Sequence, residues 1–552
     1  MKRTLTLALC LLMVLSAFAG GSKDNTAKSS SSTSAASTSV EKIEEASLST
    51  VSSESVVVDK VSIALGYDLS GLEPWGSATA GRNTVMQMVY EFMGYYDPTT
   101  DSGVAGILMK DFKRGEDGFT ARATIYDYIY DSAGNHLTAE DVAFCFNTWK
   151  ANGKSVKCKV LDSVSVIDDY TVEFKLANNT VGDLENMLCG LVPIVTRKAY
   201  EDAQFGMITD PVSTSPYKVK EFVSGSSLLL EKRDDYWQTD ESLIQPVSKA
   251  NAKQIEYKII TESFQVPIAL ETNTIDITSQ LSYNDASKFM NDPALKEKYN
   301  VYGVKDTNFY WITFNCDKGA VFEDNLALRQ AVAYAIDAAG LVTGVLHGGG
   351  EVTHAYANNL CVDYNTEWDN EPYYEYDLAK AKELLKESGF DTSKTLTLMT
   401  TSGTVPKNAA QIIQVYLQQL GLKVELAVYE SALYQQYRTD PSQWDIMLDA
   451  KLSNDYVTSL ASTFEVSGNA RALNFVEDEK LQSMVKNVVT VTGHTAENIE
   501  EYMDYIRDQC YVYSFFIPYQ YYVVEKGIDG IFINFKSYLI PSACTYTAEF
   551  VN

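Results

Sequence analysis

Residues 395–429 read TLTLMTTSGTVPKNAAQIIQVYLQQLGLKVELAVY, and this stretch decides the fold class. Alternating apolar and polar residues predict strands over 395–400 and 422–429. Between them, apolar residues at helical spacing predict an amphipathic helix over 406–420, which a glycine terminates. Strands that alternate with helices across short loops are typical of a parallel sheet covered by helices on both faces. The chain is therefore expected to be an α/β protein with its ligand site beyond the carboxyl ends of the strands.

The same pattern continues on both sides of this stretch. A helix over 430–438 and a strand near 446–448 are predicted to follow it. Before it, residues 326–346 have one long helical pattern, and Asp377 is a predicted N-cap. Residues 511–524 are strongly apolar but too few to span a bilayer, so they are predicted to form a buried strand.

The amino terminus has the pattern of an export signal. Residues 1–20 combine two cations, an apolar stretch and small residues at the cleavage positions. Residues 21–55 are rich in Ser and Thr and are predicted to form a disordered tether, with a plain spacer as the alternative. The run after residue 20 looks like the start of a lipoprotein without its cysteine. Either the chain is released after Ala19 or it is a membrane-anchored lipoprotein whose Cys is altered; in both cases it is exported.

Composition and charge exclude several classes of protein. The chain has 552 residues, a formal net charge of −28 and a pI near 4.6. Such an acidic surface repels phosphate backbones and anionic headgroups, so nucleic-acid partners and polybasic membrane binding are not expected. Length gives a prior of three or four domains.

Cysteine and histidine give no metal or redox motif. Seven cysteines remain beyond the export signal, and none forms a C-x-x-C pair. Buried free thiols are expected, with a Cys145–Cys158 disulfide left open. His347 and His354 flank three glycines, where solvated imidazoles are favoured over a metal site. Neither a metal nor a cofactor is expected.

Catalytic signatures are missing from the sequence. It contains no phosphate-binding loop, no dinucleotide-binding glycine motif and no G-x-S-x-G turn. Two carboxylates could still form a glycosidase site, since sequence alone does not place two acids in space. A protein without enzymatic activity is therefore predicted, and a secreted glycan hydrolase is the alternative from another class.

Seven segments in collinear order resemble the solute-binding proteins of bacterial oligopeptide and dipeptide ABC importers, which form family 5 of the extracellular solute-binding proteins. They are DSAGNHLTAEDV (131–142), DDYTVEF (168–174), STSPY (213–217), DYW (235–237), LRQA (328–331) with YAID (334–337), and AKAKELL (379–385). The spacing of the segments matches the family along nearly all of residues 56–552.

The resemblance implies a two-lobed, hinged architecture of the periplasmic-binding-protein type II, in its large three-domain variety. By the matching landmarks, lobe I is expected at 56–96, 212–300 and 522–552. An inserted domain II would occupy 97–211 and lobe III would occupy 301–521. The crossovers near 300 and 521 would form the hinge, and closure of the lobes would capture the ligand.

The resemblance also implies ligand-binding residues. The family binds the α-ammonium of a peptide through a carboxylate in a W-x-x-D-Y segment, and the corresponding residues here are Leu452, Ser453, Asn454, Asp455 and Tyr456. Asp455 is the predicted ammonium ligand, with Asn454 as its rival and Leu452 in place of the family's Trp. A solvated loop acid or a helix cap is the alternative for Asp455.

A first-lobe loop is implied to line the same cleft. Thr79 and Ala80 are expected to offer backbone contacts, and Trp75 is a candidate lid aromatic or a core residue. The implied function is a monomeric extracellular receptor that captures di- or oligopeptides and delivers them to an ABC permease with its ATPase. Relatives of this type also bind oligosaccharides or nickel complexes, so an oligosaccharide or another small solute stays open as the ligand.

Overall fold

Residues 395–429 and the segment that follows them form the strands and helices predicted from their sequence. Strands Thr395–Thr401, Lys423–Tyr429 and Ile446–Leu452 alternate with helices Thr404–Leu420 and Ser431–Tyr437. The first strand pairs in parallel with each of the other two. The long helix ends at Gly421, whose φ of 106° lies in the left-handed region. The α/β class is therefore confirmed, and the parallel pairing holds for these three strands but not for the whole sheet, whose other strand pairs are antiparallel.

The structure is a computed structural model that describes residues 55–76, 80–97, 100, 103–370, 373–452, 456–466, 471–534 and 537–550, with the backbone alone for 80 and 81. These residues all belong to one compact unit, Ile43–Asn552. The predicted export signal over 1–20 and the predicted tether over 21–55 lie outside the described residues, apart from Ser55.

The parallel strands belong to a mixed seven-stranded sheet, named here the large sheet. Its order is Tyr299–Lys305, Val512–Glu525, Asn308–Phe314, Ile446–Leu452, Thr395–Thr401 and Lys423–Tyr429, with Gly350–Glu351 paired to the second strand. Strand Val512–Glu525 is almost wholly buried, as its apolar sequence predicts. It pairs antiparallel with Tyr299–Lys305, which places the two chain crossovers expected near 300 and 521 side by side.

Two four-stranded sheets form the other part of the described chain. The first sheet has the order Val58–Leu65, Ala252–Ile259, Ser227–Lys232 and Tyr217–Val223. The small sheet is antiparallel throughout, with the order Met109–Arg114, Thr120–Ile125, Thr171–Leu176 and Leu161–Asp168. Short pairs join Gly94–Tyr96 to Val104–Gly106 and Ile528–Gly530 to Thr545–Tyr546.

The helices outside the quoted stretch cover these sheets. They are Ala80–Val89, Ala139–Asn152, Asp183–Asn186, Arg197–Asp202, Gln265–Glu271, Tyr283–Asn291, Pro293–Lys296, Leu326–Tyr334, Ala338–Leu346, Leu378–Glu387, Glu479–Val488 and Ala496–Asp508. As predicted, Asp377 caps its helix by accepting from the backbone N–H groups of Ala379 and Lys380. Within the described ranges, no helix combines the length and apolar character that crossing a bilayer requires.

The prediction of a single helix over 326–346 is wrong. The chain forms two helices, Leu326–Tyr334 and Ala338–Leu346, separated by a break at Ala335–Asp337. The Asp337 carboxylate accepts from the backbone N–H of Gly340 at 2.8 Å and so starts the second helix. An N-cap residue inside a continuous apolar pattern marks the start of a second helix, and hydrophobic spacing alone does not reveal the break between the two helices.

Within the residues that the structure describes, buried apolar side chains form two large clusters and two smaller ones. One large cluster lies under the first sheet and the small sheet and includes Phe146 and Ile255. The other lies under the large sheet and includes Trp311 and Ile413. The division of the chain into two lobes and an inserted domain, at the boundaries stated above, stays a prediction.

The cysteines of the described chain are buried free thiols, as expected. All seven lie in the interior and none forms a disulfide. The Cys145 thiol donates to the Val195 carbonyl at 3.2 Å, and the Cys158 thiol donates to the Trp149 carbonyl at 3.4 Å. The Cys145–Cys158 disulfide that the sequence left open is therefore not formed.

Candidate functional site

A cavity of about 490 Å³ lies between the small sheet with its neighbouring helix and the loops beside the large sheet. Its volume is in the range of pockets that enclose a small-molecule ligand. The side of the small sheet contributes Thr100, Gly103, Phe112, Arg114, Val181 and Glu185. The side of the large sheet contributes Val362, Asp363, Tyr456, Val491 and His494. The two walls of the cavity therefore come from different parts of the chain, residues 100–185 and residues 362–494.

Asp363 fixes the chain where it leaves the predicted ligand segment. Its Oδ1 accepts from the backbone N–H of Val457 at 2.7 Å, at the first residue of the 3₁₀ helix Val457–Thr463. Satisfying an unpaired N–H at a helix start is the usual role of a cap. Here the cap comes from a distant loop. Tyr456, the residue just before this helix, is thereby held at the cavity wall.

His494 ties the same helix to a second loop. Its Nε2 lies 3.3 Å from Asp363 Oδ2, and its Nδ1 lies 3.2 Å from the Thr458 hydroxyl. The ring also packs edge-on against Tyr456, with centroids 5.4 Å apart. Nδ1 also lies 3.4 Å from the Val488 carbonyl, whereas the contact between Nε2 and Asp363 does not have the geometry of a hydrogen bond. Carboxylate, imidazole and phenol thus form one connected polar wall.

The opposite wall carries a largely buried ion pair. Arg114 Nη1 lies 2.7 Å from Glu185 Oε1, and the two side chains are 13% and 6% exposed. Arg114 also donates to the carbonyls of Gly118 and Thr180, each at 3.4 Å. Lys157 pairs with the buried Asp183 two residues before Glu185. Buried charges persist when they are paired and hydrogen-bonded, so this wall presents fixed charge to the cavity.

The strand that leads toward the cavity also carries perturbed charges. Burial raises the pKa of Asp449 and lowers the pKa of Lys451. Arg438 Nη2 lies 3.2 Å from Asp449 Oδ2 and opposes the rise in the Asp449 pKa. Groups with shifted pKa values near a cavity are typical of functional sites.

The predicted site residues fall in different surroundings. Ser453, Asn454, Asp455 and Thr79 lie outside the described residues. Leu452 is the last residue of strand Ile446–Leu452 and is 62% exposed. Ala80 is the first residue of helix Ala80–Val89. The predicted ligand segment is thus bounded by an exposed strand end and by Tyr456, which lines the cavity.

Trp75 lies in the hydrophobic core and is 4% exposed. Its indole Nε1 donates to the Pro193 carbonyl at 3.3 Å, and its ring packs against Tyr200 with centroids 4.8 Å apart. Phe144 packs edge-on against the other part of the ring. This is the core placement that the sequence left open beside the lid role, and ligand contact by Trp75 stays a prediction.

Sequence reasoning missed Asp363, His494, Arg114 and Glu185 as wall residues. No motif contains both members of either pair, because Arg114 and Glu185, like Asp363 and His494, are far apart in the sequence and come together only in the folded chain. The one local signal was the Asp-Tyr pair at 455–456, which placed Tyr456 near the site. Among the described residues, no group of three or more His, Cys, Asp or Glu side chains could hold a metal ion.

Comparison with known proteins identifies the family. Residues 103–469 match the family described as bacterial extracellular solute-binding proteins, family 5 Middle. The oligopeptide-binding protein AppA of Bacillus subtilis is 25% identical over 485 residues, which cover 81% of this chain and 84% of AppA.

Solved structures share the fold. CtaP of Listeria monocytogenes, an ABC transporter substrate-binding protein, has a TM-score of 0.74 at 20% identity, with 89% of this chain and 100% of CtaP covered. AppA of Bacillus subtilis in complex with a nonapeptide has a TM-score of 0.64 at 18% identity, with 90% and 100% covered. The fold is accordingly the two-lobed type II periplasmic-binding-protein fold, and the chain belongs to the bacterial extracellular solute-binding proteins of family 5.

Proposed function

We infer that this chain is the extracellular receptor of an ABC importer and that it captures di- or oligopeptides. This function is supported above all by the cavity of about 490 Å³, which has one wall beside the small sheet and the other wall in loops beside the large sheet. A ligand in this cavity contacts both walls only when the two walls lie close to each other. It therefore shifts the population toward the closed form, because only that form makes both sets of contacts.

The position of the cavity supports a peptide as the ligand. It is lined by Tyr456, which directly follows the predicted ammonium ligand Asp455 in the sequence. In this proposal the Asp455 carboxylate accepts from the α-ammonium, a charge-assisted hydrogen bond worth about 1.5–3 kcal/mol. Asn454, Ser453 and Leu452 complete the segment, and Thr79 and Ala80 offer backbone contacts from the first lobe. The main chain of the peptide supplies affinity that tolerates different side chains.

The receptor binds its cargo without transforming it and delivers it to a membrane permease and its ATPase. In this proposal lobe I comprises 56–96, 212–300 and 522–552, the inserted domain comprises 97–211, and lobe III comprises 301–521. The paired strands Tyr299–Lys305 and Val512–Glu525 contain both crossovers, and they support a hinge at this place. The chain acts as a monomer, held at the outer face of the membrane by its exported amino terminus.

The test is calorimetry and thermal melting with peptide libraries, beside oligosaccharide and metal libraries. A tight ligand raises the melting temperature by mass action, so a rise with peptides alone is expected. Asp455→Asn keeps a neutral acceptor, so it should weaken the binding of peptides with a free amine by about 5- to 12-fold and leave the binding of N-acetylated peptides unchanged. Equal losses for both kinds of peptide would remove Asp455 from its role. Stabilisation by sugars alone, or turnover without a stabilising ligand, would overturn the peptide receptor.

A further inference from the structure

Two loops from opposite walls of the cavity are joined by backbone pairing. Thr180 and Thr490 form an isolated antiparallel bridge. The backbone N–H of Val181 donates to the Val489 carbonyl, and the backbone N–H of Val491 donates to the Asn179 carbonyl, each at 2.9 Å. The first loop follows strand Thr171–Leu176 of the small sheet, and the second follows helix Glu479–Val488 beside the large sheet.

Two glycines of the small-sheet wall make room for side chains of the other wall. Gly182 has a φ of 79°, and a Cβ at this position would lie 2.7 Å from Tyr456 Cδ2. Gly118 has a φ of 72°, and a Cβ there would lie 2.8 Å from the side chain of Val491. A contact under 3.0 Å forces a shift, and positive φ already favours glycine. Glycine at both positions therefore lets the two walls approach each other this closely.

The paired loops belong to the wall of the cavity itself. Val181 and Val491, which donate the two hydrogen bonds, both line it. Their neighbours belong to different hydrophobic clusters, with Leu176 in one and Val488 in the other. Separating the two walls along this edge therefore breaks both backbone hydrogen bonds and withdraws Tyr456 from Gly182.

We propose that the Thr180–Thr490 bridge is a latch that holds the receptor closed and sets the rate at which ligand leaves. This proposal rests on the proposed function, because it assumes that the walls separate to admit ligand. The latch is made of main-chain groups, so it closes in the same way around ligands with different side chains. It adds to the lifetime of the complex without a contact to the ligand.

The first experiment needs no ligand. In the double variant T180C/T490C, bridge partners lie at a Cα separation that a disulfide spans. The seven native cysteines of the described chain are buried, so the new pair is the accessible one. Oxidation with diamide is expected to give an intramolecular disulfide and to slow hydrogen exchange at the Val181 and Val491 amides together. Failure to cross-link, or exchange of the two amides at unrelated rates, would overturn the latch whatever the receptor binds.

The second experiment measures release of trialanine by stopped flow. Val491→Pro removes one donor, while Val491→Ala keeps the N–H and shortens the side chain. Val491→Pro is expected to speed release by about 2- to 12-fold relative to Val491→Ala, which is the effect of one net hydrogen bond. Oxidised T180C/T490C loaded with trialanine should retain it until dithiothreitol is added. Release at the wild-type rate from the oxidised protein would refute the latch. Absence of trialanine binding to the wild type would count against the proposed function and leave the first experiment decisive for the latch.

Discussion

Replacing Asp363 by alanine is expected to weaken ligand binding although Asp363 lies in a loop far along the chain from Asp455. The carboxylate accepts from the backbone N–H of Val457 at 2.7 Å and contacts His494 Nε2 at 3.3 Å. A hydrogen bond to a charged group contributes about 1.5–3 kcal/mol. If the whole cost falls on the bound state, affinity drops by about 10- to 150-fold, at 1.4 kcal/mol for each factor of ten.

Two further variants test whether the charge of the Asp363 carboxylate matters beyond its role as a hydrogen-bond acceptor. Asp363→Asn keeps an oxygen that accepts from Val457 N–H but turns the bond into a neutral one, worth about 0.5–1.5 kcal/mol. It should therefore lose less affinity than Asp363→Ala. Asp369→Ala removes a carboxylate of the same loop that accepts from the Tyr364 hydroxyl at 2.7 Å, in an exposed position, and serves as the control.

Isothermal titration with a binding peptide gives the affinities, and urea denaturation of the ligand-free proteins gives the stabilities. The expected order of affinity is wild type and Asp369→Ala together, then Asp363→Asn, then Asp363→Ala. If Asp363→Ala binds peptide within twofold of the wild type while its unfolding free energy falls, the carboxylate stabilises the lobe alone. That result would refute the argument that it positions the ligand segment.

Three further predictions concern stability. Burial and the nearby Asp276 carboxylate raise the pKa of Glu525 to about 7. The folded state therefore binds the proton of the Glu525 carboxyl group more tightly than the unfolded state does, so the stability of the protein falls as pH rises from about 4 to about 7. Glu525→Gln should raise Tm at pH 8 and not at pH 4 in calorimetric scans, whereas Glu383→Gln on an exposed surface should change neither. Arg329 is buried and donates to three backbone carbonyls, which a lysine ammonium does not reach at the same time. Arg329→Lys should therefore lower the urea midpoint and leave the peptide affinity unchanged. An unchanged urea midpoint would contradict this prediction. Trp75→Phe should cost about 1–3 kcal/mol of unfolding free energy, and a loss of affinity at full stability would instead favour the lid role.

Local pattern was sufficient for most elements of the fold. The alternation over 422–429 and the helical spacing over 406–420 each describe one element and depend on neighbours in sequence. The capping aspartate at 377 acts within one turn, so its helix start was predictable too. The N-cap at Asp337 is also a local signal, but the apolar pattern continues through it, so one helix was predicted where the structure has two.

The α/β class and the likeness to the binding-protein family could be predicted from the sequence alone, whereas the ligand role of residues 452–456 stays a prediction. Three features become visible only in the folded chain: Asp363 contacts His494, Thr180 pairs with Thr490, and Trp75 is buried. Secondary structure follows from periodicities of two and 3.6 residues, which are written into consecutive positions. A cavity wall is assembled from residues far apart in the chain, and their meeting is set by how the sheets and loops pack.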